Sequence, residues 1–264
     1  MKIKKFLKLA LVAAFAATVI GCDDDVAQPV ANNNADITLI PPAAVYTMTN
    51  DPGANAIREY RRAATGELAF VKDYPTGASG SGDNLNGASG SLIHVHGTNR
   101  FFNVNAGSNS VTFMSLGGDG ALTAMSTANS GGTRPISVTT FGTTVYVLNA
   151  GDPINNIPAN ISGLELVGTQ LVPIAGSTQA LSVANPNPAQ IAFHPAGTVL
   201  VVTERDSNRI TTFVMNGNVA GPPKAQVSSA ITPSGFDYTA LGTMITAGAT
   251  NGAAGSASVS SHIV

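Results

Sequence analysis

The sequence predicts an all-β chain built from a repeated unit of about four antiparallel strands, and three observations predict it. First, a β-branched or aromatic run ending in a small polar residue occurs five times: Val45–Thr49, Phe101–Asn105, Val145–Asn149, Val199–Thr203 and Thr243–Ala247. Second, the second positions of these runs, Tyr46, Phe102, Tyr146, Leu200 and Met244, are spaced by 56, 44, 54 and 44 residues. That is close to the roughly 40–50 residues of one four-stranded blade in a radial repeat fold. Third, no window after residue 43 carries apolar residues at helical period over three turns.

Each element of the unit has its own signal. The run is followed, after a small polar turn, by a second alternating strand, as in Asn109–Phe113 and Asn208–Phe213. A third strand begins at Gly66-Glu67-Leu68 and Gly120-Ala121-Leu122. A proline-containing stretch leads into each central run: Arg134-Pro135-Ile136, Asn187-Pro188-Ala189 and Thr232-Pro233-Ser234. Asp119-Gly120 and Asn216-Gly217 mark tight turns. The Gly-rich stretches Gly77–Gly90 and Gly248–Gly255 read as flexible loops. Because the whole unit recurs, the fold is a β-propeller of four-stranded antiparallel blades, not a sandwich. The five second-position residues are expected in equivalent places between successive sheets, with helix below about a tenth of the globular part against an average of about a third.

Composition sets the address. Of 264 residues, 44% are hydrophobic and 11% charged, against about 25% charged in a typical domain, so Ser, Thr, Asn and Gly must make most of the surface. One cysteine excludes an internal disulfide framework and a Cys-rich zinc site. Four lysines fall in the first eight residues, and beyond Cys22 nine basic residues face fifteen acidic ones. No basic face points to nucleic acid. The uncharged run Leu9–Ile20 is shorter than the roughly 20 residues of a bilayer span, and with the basic start it reads as an export signal. Val19-Ile20-Gly21-Cys22 resembles a bacterial lipoprotein signal. The resemblance implies cleavage before Cys22 and lipidation of that cysteine. An ordinary signal peptide or an uncleaved anchor is the alternative. Residues 1–21 are then the signal peptide, 22–42 a polar tether and 43–264 the propeller. The expected location is the cell envelope, facing periplasm or exterior, with a lipid anchor as the sole membrane attachment.

Val45–Asp51, Asn103–Asn109, Ser130–Pro135 and Gln190–Gly197 resemble the lactonase-type seven-bladed propeller family, which includes 6-phosphogluconolactonase and 3-carboxymuconate cyclase. The resemblance spans residues 43–264. It implies a groove in which a carboxylate works beside an arginine that holds the anion. At that groove Pro188-Ala189-Gln190 stands where the family has Pro-Arg-His, Thr203-Glu204 where it has Asn-Glu, and Pro135-Ile136-Ser137 where it has Pro-His and a small residue. Glu204 alone is retained. Seven blades of about 45 residues need roughly 315, while residues 43–264 make nearly five, and the last unit stops without an outer strand. The expectation is an unclosed arc of four to five blades, incomplete at its C-terminus; a natural five-bladed ring is the alternative.

The candidate site residues are therefore Glu204 as catalytic base, Arg134 and Arg205 as holders of an anionic substrate, and Cys22 for lipidation. His94 and His96 would share a strand face, yet no third ligand lies at metal-binding spacing, and surface histidines are the reading. His194 belongs to a turn, and Asp152 to a polar loop. No metal and no cofactor are expected, and neither a phosphate-cradling Gly-Lys motif nor a Gly-x-Ser-x-Gly elbow occurs. Two functions stay open. One is an envelope lactonase-family lipoprotein hydrolysing or isomerising a small sugar lactone or cyclic ester. The other is a non-catalytic propeller scaffold that binds an envelope protein or glycan.

Overall fold

A computed structural model describes residues 44–85, 88–249 and 255–264, and shows five antiparallel sheets in a propeller arrangement. The signal, Cys22 and the tether lie outside the described residues. Blade I contains β1 (Ala44–Met48), β2 (Ala56–Arg62) and β3 (Leu68–Pro75). Blade II contains β4 (Leu92–His94), β5 (Arg100–Asn105), β6 (Ser110–Leu116) and β7 (Leu122–Asn129). In blade III, β8 (Pro135–Phe141), β9 (Thr144–Asn149), β10 (Asn160–Val167) and β11 (Gln170–Pro173) are joined by β12 (Gln179–Ala180), which pairs β10. Blade IV runs β13 (Pro188–Phe193), β14 (Val199–Glu204), β15 (Arg209–Asn216) and β16 (Val219–Ala220), with β17 (Lys224–Val227) on β15. Blade V has β18 (Pro233–Tyr238), β19 (Met244–Ala249) and β20 (Ala257–His262). No helix occurs among the described residues. Among them, β1 pairs only β2 and β20 only β19.

The core forms between sheets, so the second strand of each inner blade is apolar on both faces. In β9, Val145 and Val147 pack toward blade II with Phe102 and Val104, while Tyr146 and Leu148 pack toward blade IV with Leu200 and Val202. Tyr146 donates to the Asn218 carbonyl at 3.0 Å and accepts the Ala220 amide at 2.7 Å, so one phenol ties blade III to blade IV. Burial and the Ala220 bond pull its pKa in opposite senses, and burial dominates, raising it.

This packing corrects the repeat register. Tyr46, Phe102 and Tyr146 face the following blade, whereas Leu200 and Met244 face the preceding one. The residues equivalent to Tyr146 are Val201 and Ile245. A one-residue slip sends a side chain to the opposite face, and Val199-Leu200-Val201-Val202, apolar at every position, offers no alternation to set the parity.

Polar side chains supply hydrogen bonds between blades. The Ile191 and Phe193 amides of β13 donate to Ser137 Oγ at 3.2 Å and Thr139 Oγ1 at 3.1 Å on β8. Gln190 bonds both the amide and the carbonyl of Phe236, each at 2.9 Å. At the loop end, Asn50, Asn109 and Asn208 adopt left-handed φ angles of 53°, 52° and 53°. Their side-chain oxygens accept the amides of Ser81, Arg134 and Thr232 at 2.9, 2.8 and 3.0 Å, clasping each turn to the link that leaves the blade.

The link from β3 to β4 has sixteen residues, against five to seven for the other links between blades. Its Gly-rich sequence reads as flexible, but the described part is tied down. The Ser79 carbonyl accepts the amides of Gly107 and Ser108 on blade II at 3.1 and 3.2 Å. Here a Cβ on Gly107 would penetrate the Gly80 carbonyl, so only glycine fits. Farther on, Ser89 N donates to the Ala189 carbonyl at 3.1 Å, and Gly90 O accepts Val138 N at 2.9 Å. A Cβ on Gly235 would lie 3.1 Å from Ser89 Oγ. Ser89 and Gly90 thus touch the first strands of three blades, β8, β13 and β18, together, which places them where these strands converge.

The clasp predicts a graded loss of stability. Asn208→Ala loses a hydrogen bond and leaves an ordinary L-residue in a left-handed conformation, which together cost about 2 kcal/mol. Asn208→Gly loses only the bond, about 1 kcal/mol, because glycine tolerates the backbone. Urea unfolding of the three proteins is expected to rank wild type above Gly above Ala.

Candidate functional site

Glu204 closes β14, opposite Pro188 on one side and Arg209 on the other. It is fully buried. Oε1 accepts the Ser182 amide at 3.1 Å and Thr211 Oγ1 at 2.6 Å; Oε2 accepts Ser207 Oγ at 2.7 Å and also Ser182 Oγ. A carboxylate offers about four acceptor directions, and four donors meet it. The same position in blades II and III holds Asn105 and Asn149, both fully buried. Asn105 bonds Thr76 and Thr112 at 3.0 Å each, and Asn149 bonds the Ser130 carbonyl at 3.1 Å. In all three blades a buried polar side chain at the end of the second strand holds the link that enters the blade. Glu204 does this for Ser182.

The two arginines flank other features. Arg205 donates from Nε to the Asn187 carbonyl at 3.2 Å, and from Nη2 to Asn187 Oδ1 at 3.0 Å and the Pro188 carbonyl at 3.1 Å. Burial pulls its pKa below the usual guanidinium value, partly opposed by Asp206, yet an arginine stays charged. With Asn187, Asp206, Asn208, Thr232 and Ser234 it lines a cleft of about 1100 Å³ that blade V completes through residues 247–249 and 257–259. Arg134 precedes β8 with φ of 57°. Its Nη2 donates to Asp83 Oδ2 at 2.7 Å in an ion pair that is 31% and 48% exposed on its two sides. Glu204, Arg134 and Arg205 share no partner among these contacts. Glu204 and Arg205 are neighbours in the chain whose side chains turn to different partners in these contacts.

The groove positions marked by the family resemblance are engaged in packing. Ser137 receives Ile191, the Ala189 carbonyl receives Ser89, and Gln190 is held by Phe236. Sequence reasoning missed Asn187, which holds Arg205, and Asp206, which holds Asn187, both on the cleft wall; their place in the Asn187-Pro188 start and the Glu204–Asn208 turn was the available signal. β4 ends at His94, so His96 lies in the following turn and does not share its strand face. His94 Nε2 bonds the Thr98 carbonyl at 2.7 Å. His194 accepts the Ala196 amide at 3.1 Å inside its turn. Asp152 is bonded by the Ile154 amide at 3.0 Å and Asn155 Nδ2 at 2.7 Å, and the latter chiefly lowers its pKa. Among the described residues no group of three or more His, Cys, Asp or Glu could hold a metal ion.

The buried carboxylate makes a direct prediction. In Glu204→Gln the amide NH₂ must face the serine donors, which leaves buried groups unsatisfied at a cost of about 1–3 kcal/mol. A lower urea midpoint with unchanged slope is expected; an unchanged midpoint would mean the carboxylate holds nothing together.

No protein-family model matches the chain, and no curated protein matches it in sequence. Solved structures do match in shape. A candidate 6-phosphogluconolactonase from Bacteroides uniformis superposes with a TM-score of 0.59 at 11% identity, over 84% of this chain and 69% of that one. The periplasmic gluconolactonase of Pseudomonas aeruginosa gives 0.52 at 14% identity, over 79% of this chain and 63% of that one. The aldose sugar dehydrogenase of Streptomyces coelicolor gives 0.55 at 11% identity, over 83% and 75%. One architecture thus carries different chemistries, and what these likenesses establish for the present chain is the β-propeller fold, shared with lactonase-like proteins.

Proposed function

We propose that this chain is an envelope propeller that binds a small sugar-derived anion or lactone in the cleft beside Arg205, without using Glu204 to hydrolyse it. The observation that carries this reading is the sealing of Glu204 by Ser182, Ser207 and Thr211. A general base needs a lone pair directed at water or substrate, and here every direction is engaged. Arg205, by contrast, is held by backbone and side-chain oxygens on the wall of an open cleft. A charged donor fixed in place loses little entropy when it meets an anion. The shared fold with a periplasmic gluconolactonase motivates the ligand class and adds nothing about chemistry.

Calorimetry with sodium gluconate is expected to show binding that weakens at least about tenfold in Arg205→Gln, the scale of one lost charge-assisted contact. The same protein is expected to leave δ-gluconolactone hydrolysis at the buffer rate. Lactonase action remains the second reading because Asp206, a carboxylate on the cleft wall, accepts Asn187 Nδ2 at 3.0 Å beside Arg205. Hydrolysis above the buffer rate that Asp206→Asn abolishes would select it.

Lipid attachment at Cys22 belongs to the same proposal and rests on the signal segment. Labelled palmitate is expected in the wild-type protein and absent from Cys22→Ser; equal labelling rejects the anchor.

A further inference from the structure

Asp83 lies on the long link between β3 and β4, just before the part that meets β8, β13 and β18. Its two oxygens are divided. Oδ1 accepts Ser81 Oγ, and Oδ2 accepts Arg134 Nη2 at 2.7 Å. Asn50 Nδ2 in turn holds Ser81 Oγ at 3.0 Å and the Asp83 carbonyl at 2.8 Å, which fixes this orientation. Asp83 therefore meets Arg134 through a single bond, its other oxygen turned to Ser81. Arg134 Nε is shielded from solvent and has no hydrogen-bond acceptor among the described residues. Arginine ordinarily grips a carboxylate with two parallel bonds, one edge of the guanidinium against both oxygens. Here the edge formed by Nε and Nη2 is half used.

We propose that this edge of Arg134 is the receptor for a ligand carboxylate, and that Asp83 occupies it as an internal competitor. A carboxylate that displaces Asp83 exchanges one bond for two and satisfies a buried donor. Asp83, half exposed, turns toward water and keeps Ser81. Asp152 also faces Arg134 electrostatically, but its oxygens are taken by Asn155 and the Ile154 amide, so Asp83 is the group to be exchanged. The backbone at Arg134 is held for the purpose: its amide donates to Asn109 Oδ1 at 2.8 Å, and its carbonyl accepts the Ala150 amide at 2.9 Å. This site is separate from the Arg205 cleft and does not depend on it.

The test removes the competitor instead of the receptor, because a gain of binding cannot come from misfolding. Gluconate is titrated calorimetrically into Arg205→Gln and into Asp83→Asn/Arg205→Gln, so that the cleft contributes to neither. The double variant is expected to bind gluconate roughly two- to fivefold more tightly, the worth of one exposed ion pair. Adding Arg134→Gln is expected to abolish that gain, and glucitol, which lacks the carboxylate, is expected to bind none of them better. Equal affinity of the single and double variants, both with intact thermal midpoints, overturns the assignment. So does a gain that survives Arg134→Gln or extends to glucitol. Each of these outcomes is read independently of whether the Arg205 cleft binds gluconate.

Discussion

The constraint on which this molecule depends is the burial of the second strand of each inner blade on both faces. An isolated sheet with Val145, Tyr146, Val147 and Leu148 in succession would leave one face in water whichever way it turned. Stacking sheets radially removes that cost, since every inner sheet becomes core for two neighbours. Burial at about 25 cal/mol per Å² is the main attraction, but it has no direction. The angle between blades is set by bonds that have one: Tyr146 to Asn218 and Ala220, Ser137 and Thr139 to β13, Gln190 to Phe236. This explains a composition that otherwise looks odd. Ser, Thr, Asn and Gln replace charge because short neutral groups can donate and accept between sheets without the desolvation penalty of an ion.

What the sequence shows follows from the same physics. The proline-led strands, the Asn-containing turns and the β-branched runs locate the longer strands, because each depends on local backbone preference, whereas the short β4, β11, β12, β16 and β17 carry no such signal. The register between repeats does not. Leu200 and Val201 are equally apolar, and with core on both sides no polar neighbour says which one faces blade III. The role of Glu204 was hidden for a related reason. Positional likeness to an enzyme motif suggests chemistry, whereas alignment with Asn105 and Asn149, each closing a second strand, shows a repeated polar tie. The Gly-rich link was misleading in the opposite sense. Gly77–Gly90 looks flexible in sequence, but glycine also permits backbones to approach closely, and Gly80 meeting Gly107 is how Ser79 reaches blade II.

The long link changes what this propeller can offer a ligand. Radial folds commonly present their axial mouth, where the innermost strands and their loops converge. In this chain Ser89 and Gly90 lie where β8, β13 and β18 converge, and Leu85 and Ala88 pack against the core between blades III and IV. The positions that a lactonase-like groove would use are therefore committed to holding blades together. One open space, the cleft beside Arg205, lies between the loops of blade IV and blade V.

Charge is scarce enough that its placement carries meaning. Among the described residues three ion pairs form: Arg58 with Asp73, Arg61 with Glu59, and Arg134 with Asp83. The first two lie within blade I, where Arg58 meets both oxygens of Asp73, at 2.7 Å each, and Glu59 is buried against Tyr74. Those carboxylates are well used, and the pairs serve one sheet. The third joins two parts of the chain far apart in sequence and uses its arginine incompletely. A pair selected only for stability would be expected to close both bonds, as Arg58 does. Asp83 instead turns its second oxygen to Ser81, and a neutral residue there would cost little, since an exposed pair contributes at most about 1 kcal/mol. A carboxylate held by one bond against an arginine with a second donor waiting is better suited to being exchanged than to holding a fold together.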